Sequence, residues 1–213
     1  MSYGLNQLGG ERPERRVLKV QIIPDTMMTK TKKTTSKGDA PASVPQSFLN
    51  QLGEMHTAER ELTVALPLMA RAAKSKDLKM VLQIHLDQTK GHVKALDDVA
   101  KSLAVELPMK GCKRITQLVA EGVTVIGKRL ITPDQDQALM AVGQKVEQFE
   151  IEQYRKLCAT AKAQGYTHEF ALLTSILNQE EMASELLAAL AAGKGPIDKL
   201  IEKASLKRAG ARK

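Results

Sequence analysis

Carboxylates and imidazoles stand at positions where an amphipathic helix would carry apolar side chains. Glu59 lies seven residues after Leu52 and three before Leu62, so on a helix it points in the same direction as these leucines. Equivalent inward positions in other segments are occupied by His85, His92, Glu147, Glu150 and Glu180. Because an ionised group buried alone is unfavourable, such residues on several helices predict one polar centre inside a helical bundle.

The chemistry that suits these residue types is the binding of divalent metal ions. Carboxylate oxygens and imidazole nitrogens hold pairs of cations about 3.5–4 Å apart in helical bundles. Bundles often supply the ligands as single glutamates and Glu-x-x-His pairs, whereas the closest matches here are His56-x-x-Glu59 and Glu147-x-x-Glu150. We predict that the ligands are Glu59, His85, His92, Glu147, Glu150 and Glu180, with Gln88, Tyr154 and His56 next to them.

A second interpretation of the same residues stays open at this point. Buried glutamates and histidines can also form a metal-free hydrogen-bond network, with Gln88 and Tyr154 as partners, that only fixes the register of the helices. In that case the chain is a helical interaction protein. The sequence does not decide whether the protein has enzymatic turnover.

The elements that position these residues are predicted to be helices. Only 3% of the residues are aromatic and tryptophan is absent, a composition typical of helices packed on helices. Apolar periodicity predicts an all-α bundle of four long helices, with an additional short helix between the two helix pairs. The helices are expected near residues 46–74, 76–105, 112–131, 133–164 and 168–192, with Ser75, Thr132 and Thr167 as N-caps.

Charge divides the chain into a nearly neutral middle and two basic tails. The net charge is +8; residues 1–45 hold 8 Lys and Arg against 4 Asp and Glu, and residues 194–213 hold 7 against 2. We predict a disordered tail over 1–45, a bundle over 46–192 and a second basic tail over 193–213. Association with nucleic acid through the tails is an alternative function that we do not favour. Met27 and Met28 are candidates for the true translation start.

Other sequence features indicate the cellular compartment of the protein. No apolar run approaches the roughly 18 residues of a membrane span, and the N-terminal residues lack the apolar segment of a secretory signal. Two cysteines, Cys112 and Cys158, are too few for a disulfide framework. These features favour a cytoplasmic protein without a membrane partner.

The middle of the chain resembles the YciE/YciF family of ferritin-like proteins. The matching stretches are AEREL at 58–62, ALPLMA at 65–70, HLDQTKGHV at 85–93, CK at 112–113, VEQFEI at 146–151 and QEE at 179–181. The resemblance implies a helical bundle with a dinuclear iron centre, a role in stress protection, ferroxidase-like activity and a homodimer. Manganese or another divalent ion is an alternative metal. Gln88, Gln148 and Ser184 depart from the family pattern, because each replaces a strong ligand or a charge with a neutral group.

A homodimer is also expected from the residues themselves. The third helix is short and contains Gly122 and Gly127, so it covers the first two helices incompletely. Symmetric pairing of two chains would bury the apolar surface that remains.

Overall fold

Five α-helices account for most of the residues that the structure describes. The computed structural model describes residues 43–128 and 134–194, together with Ile197, Lys199 and Ile201. The helices are α1 (Gln46–Ala72), α2 (Lys76–Ser102), α3 (Lys113–Lys128), α4 (Asp134–Ala163) and α5 (Thr167–Ala191). No strand occurs among the described residues, which confirms the all-α prediction. The predicted N-terminal tail up to residue 42, the cap at Thr132 and most of the C-terminal tail lie outside them.

The helices pack as two pairs with a crossing helix. α1 packs along α2 and α4 along α5, and the pairs meet where α2 contacts α5 and α1 contacts α4. The short α3 lies against α1 and α4. The result is the predicted four-helix bundle with an extra helix between the pairs, and its centre is surrounded by the four long helices.

The corner between α1 and α2 is fixed by polar groups. Ser75 caps α2, because its Oγ accepts a hydrogen bond from the backbone N–H of Leu78 at 3.0 Å. Asp136, in the first turn of α4, accepts hydrogen bonds from the backbone N–H groups of Lys74 and Ser75, both at 2.7 Å. This carboxylate therefore ties the first helix pair to the start of the second.

One predicted cap is wrong. Thr167 is the first residue of α5, and Tyr166 takes the N-cap position without a capping side chain. The hydroxyl of Thr167 instead donates to the backbone carbonyl of Gly165. Gly165 lies in the turn after α4 and has a φ of 72°, a conformation that favours glycine.

Gly53 allows the loop after α2 to lie directly on α1. A Cβ at residue 53 would stand 2.2 Å from the carbonyl oxygen of Pro108, a backbone atom that cannot turn away. We expect Gly53→Ala to lower the free energy of unfolding by about 1–3 kcal/mol, as overpacking does. Gly91→Ala is the matched control, because nothing lies within 4 Å of its added Cβ. The control should gain about 0.5–1 kcal/mol. Urea titrations measure both, and equal effects would contradict this explanation.

Candidate metal centre

The six residues predicted to be metal ligands meet in the interior of the bundle. They come from all four long helices, and each is at most 3% exposed: Glu59 on α1, His85 and His92 on α2, Glu147 and Glu150 on α4, and Glu180 on α5. The apolar residues on either side of them on each helix form the core, so packing of the stripes brings the polar groups together.

The ligand atoms form two groups that share one carboxylate. The first group is His85, Glu147, Glu150 and Glu180, and the second is Glu59, His92 and Glu180. Within each group the potential ligand atoms all lie within 4.8 Å of one another. A glutamate that belongs to both groups is placed to bridge two cations with its two oxygens.

Short distances connect the imidazoles to the carboxylates. The Nε2 of His85 lies 3.2 Å from the Oε1 of Glu147 and 3.9 Å from the Oε2 of Glu180. The Nδ1 of His92 lies 2.9 Å from the Oε1 of Glu180 and 3.4 Å from the Oε1 of Glu59. Each histidine therefore faces at least one glutamate from another helix.

Many of these atoms have no hydrogen-bond partner. Within the described part of the chain, nine buried side-chain oxygens and nitrogens lack one, and all nine belong to the six predicted ligands. The Nδ1 of His92 is among them, because its approach to Glu180 has the distance of an ion pair but not the direction of a hydrogen bond. Unpartnered buried oxygens are unfavourable. Divalent cations would satisfy them, so this donor set fits a metal centre.

Neighbouring side chains orient the ligands. The hydroxyl of Tyr154 donates to the Oε1 of Glu59 at 2.5 Å, as predicted for a supporting residue. Gln88 lies close enough to His85 to oppose weakly the lowering of its pKa by burial. The Oε1 of Gln179 lies 3.0 Å from the Nε2 of His92. Sequence reasoning missed Gln179, although its position directly before Glu180 was a signal.

His56 does not take part in the centre. Its Nε2 lies 3.0 Å from the Oδ1 of Asp97 on α2, and the pair is partly exposed. Three residues on a helix correspond to a rotation of about 300°, so His56 and Glu59 point about 60° apart. That angle turns His56 towards the edge of the α1–α2 contact, and the prediction that it supports a ligand is corrected.

One ion pair stands at the middle of the centre. Burial alone lowers the pKa of His92, but the carboxylates of Glu180 and Glu59 outweigh burial and raise it to about 10. Burial alone raises the pKa of Glu180, but the contact with the cationic His92 outweighs that effect and lowers it. Without metal, His92 is therefore a cation at neutral pH and Glu180 its carboxylate partner.

The other glutamates behave differently from Glu180. Burial, followed by the negative charge of Glu180, raises the pKa of Glu147 and Glu150 well above the usual range. Burial also raises the pKa of Glu59, although His92 partly opposes this. Burial lowers the pKa of His85, so its imidazole is neutral and has a lone pair available for a metal.

Metal binding is consequently expected to release protons. Glu147 and Glu150 keep their protons to a higher pH than ordinary carboxyl groups because their pKa values are raised, and His92 holds a proton because its pKa is about 10. A cation must displace the protons that are bound, so apparent affinity should rise with pH through the neutral range and up to about pH 10. Calorimetric titration with Mn(II) in buffers of different ionisation enthalpy measures the release. An affinity that does not change between about pH 6 and 8.5 would contradict the raised pKa values.

Comparison with known proteins identifies the family. A family model described as a domain of unknown function, DUF892, matches residues 43–198. The chain belongs to the DUF892 family. Protein YciF of Escherichia coli strain K12 is 31% identical to this DUF892 protein over 150 residues, which are 70% of this chain and 90% of YciF.

Solved structures agree with this assignment. The crystal structure of YciF, described there as a stress protein of E. coli, matches with a TM-score of 0.67 over 70% of this chain and 96% of that one. YcfI of Rhodopseudomonas palustris, described as a structural protein, is 32% identical with a TM-score of 0.64, over 67% of this chain and 90% of that one. A Xanthomonas campestris protein at 18% identity shares the fold, with a TM-score of 0.55 over 78% of this chain and 97% of that one. None of the helices searched among the described residues is long and apolar enough to cross a membrane.

Proposed function

We propose that this DUF892 protein binds two divalent metal ions, iron foremost, in the centre of its bundle. The observation that carries the proposal is the pair of ligand groups that share Glu180 and contain every unpartnered buried side-chain atom of the described residues. Manganese or another divalent ion would suit the same oxygen and nitrogen donors. A cluster of acidic residues on the surface would not support metal binding. Six buried candidate ligands that come from four helices do support it.

The residues have distinct tasks in this proposal. Glu180 would contribute to both sites, His85 would offer a neutral nitrogen to the first, and Tyr154 would hold Glu59 in place for the second. The surrounding apolar core keeps bulk water away from the ligands. Two iron ions bound there would supply ferroxidase chemistry: each Fe(II) would give up one electron, and one dioxygen would take up both electrons and two protons to become hydrogen peroxide, or one hydrogen peroxide would take them up to become two waters.

The biological role we propose is stress protection in the cytoplasm. The support comes from the relative YciF, which is described as a stress protein. The two cysteines, Cys112 and Cys158, are both free and buried, as suits a reducing compartment.

The rival function is a metal-free structural protein, and one observation favours it. Tyr154, Glu59, His92 and Gln179 already form a chain of close polar contacts across α4, α1, α2 and α5. Such a chain fixes helix register without metal. However, both oxygens of Glu150 remain without a hydrogen-bond partner, which a completed network would not leave.

Elemental analysis of protein purified without chelator separates the two functions. We expect close to two equivalents of transition metal, and a rise in melting temperature when Mn(II) or Fe(II) is added to the metal-free protein. A cation at a hundred times its Kd should stabilise the native state by about 2.7 kcal/mol. Less than about 0.2 equivalents of metal, together with no thermal stabilisation, would leave only the structural function.

We also propose that the protein is a homodimer. α1 exposes Val64 and α2 exposes Met80, which leaves apolar surface on the pair of helices that α3 does not cover. A symmetric contact would bury it. Sedimentation velocity at micromolar concentration tests this, since a single species at the chain mass of 23.3 kDa would contradict it.

A further inference from the structure

A small apolar cavity lies directly beside the metal ligands. Its volume is about 20 Å³, and its walls come from α1, α2, α4 and α5. Leu62, Leu66, Val146 and Leu187 form much of the surface, and the only polar side chains in the wall are those of the ligands His85 and Glu147. The cavity therefore ends at the centre on one side and is hydrocarbon everywhere else.

A second cavity of similar size continues from the first towards the surface. The two share Leu62, Met69 and Val146 in their walls, so they lie next to each other. The second cavity extends between α1, α3 and α4 to Leu68 and Val123, which are 39% and 53% exposed. Together they form an apolar path from the α1–α3 groove to the metal ligands.

The small volume and apolar walls of the two cavities determine which small molecules they can hold. A cavity of about 10–15 Å³ can hold one water, but a water needs two to four polar partners, and apolar cavities stay dry and take up apolar gases. Hydrogen peroxide would lose its hydrogen bonds on entering such a space. A diatomic apolar gas loses none.

We propose that the two cavities are the entry path and binding site for dioxygen at the metal centre. This inference rests on the proposed function, and it names dioxygen rather than peroxide as the oxidant. Gly143 lines the first cavity and Gly122 the second, and a Cβ at residue 143 would stand only 3.0 Å from the Cδ1 of Leu187 in the wall of the first cavity. Val146 lies in the wall that the two cavities share.

Xenon tests the cavities in the metal-free protein, independently of activity. Under xenon pressure, we expect a bound atom between Leu62, Val146 and Leu187, detected by xenon NMR or in crystals. Val146→Ile adds a methylene to the shared wall and should reduce xenon binding several-fold, whereas Leu66→Ala enlarges the space and should increase it. Val99→Ile is the matched control, because Val99 is a buried valine that lines neither cavity. If xenon does not bind, or if Val99→Ile acts like Val146→Ile, the cavity assignment is overturned.

The second measurement concerns the oxidant. With equal iron loading, Val146→Ile should slow oxidation of Fe(II) by dioxygen several-fold and leave oxidation by added hydrogen peroxide unchanged. Equal slowing with both oxidants, or no slowing with dioxygen, would overturn the path. Protein that binds xenon but no metal would overturn the proposed function and the role of the path with it. Protein that binds metal but no xenon would overturn the path alone.

Discussion

Glu180→Gln is expected to abolish binding of both metal ions, whereas His85→Gln should remove only one. Glu180 belongs to both ligand groups, while His85 belongs only to the first. Wild-type protein should therefore bind about two equivalents of Mn(II), the His85 variant about one and the Glu180 variant close to none. Equilibrium dialysis followed by elemental analysis gives these values directly.

Glu181→Gln is the matched control for this experiment. Glu181 is the next residue on α5, but its carboxylate accepts a hydrogen bond from Arg155 at 2.8 Å at the surface. This variant should bind as much Mn(II) as the wild type. If Glu180→Gln keeps one equivalent while His85→Gln loses both, Glu180 is not the shared ligand and the two-site geometry is wrong.

Replacing either of two glutamates of the centre by glutamine should change the free energy of unfolding of the metal-free protein, and the two changes should have opposite signs. Glu180 is ionised and paired with His92, so Glu180→Gln leaves a buried cation with a weaker partner and should cost about 3 kcal/mol or more. Glu150 has a raised pKa and no hydrogen-bond partner, so Glu150→Gln should stabilise the fold, on the order of 1 kcal/mol at pH 7.

The pH dependence follows from the two pKa directions. The raised pKa of Glu150 means that the unfolded chain ionises first, so wild-type stability falls as pH rises above the unfolded value. The advantage of Glu150→Gln should therefore grow between about pH 4.3 and pH 7 and vanish below that range. The lowered pKa of Glu180 stabilises the fold above the unfolded value, and this stabilisation is lost as pH falls through the folded pKa.

Denaturant unfolding of metal-free protein at several pH values measures both changes. Glu152→Gln, an exposed replacement on the same helix as Glu150, should stay within about 0.5 kcal/mol of the wild type. If both Glu150→Gln and Glu180→Gln destabilise the fold, the glutamates belong to one charge-dependent network, as the structural function requires.

The sequence by itself determined the helices and the members of the centre. Helical periodicity depends only on local spacing, so the inward direction of residues such as Glu59 and Glu180 could be predicted before any packing was known. All six predicted ligands are buried together, as the stripes required. The cap at Thr167 was predicted wrongly because a threonine can begin a helix or cap it, and spacing does not distinguish the two.

Only the tertiary structure decided how the centre is divided. Which glutamate serves both groups depends on distances between different helices, and no spacing within one helix contains them. The same is true of the opposite pKa shifts of Glu180 and Glu150, which arise from the position of His92 on another helix. The contact of His56 with Asp97 and the cavity between Leu62, Val146 and Leu187 could not be predicted either. Both depend on how the helices pack on each other, which fixes rotations and gaps of a few ångströms that a helical repeat does not specify.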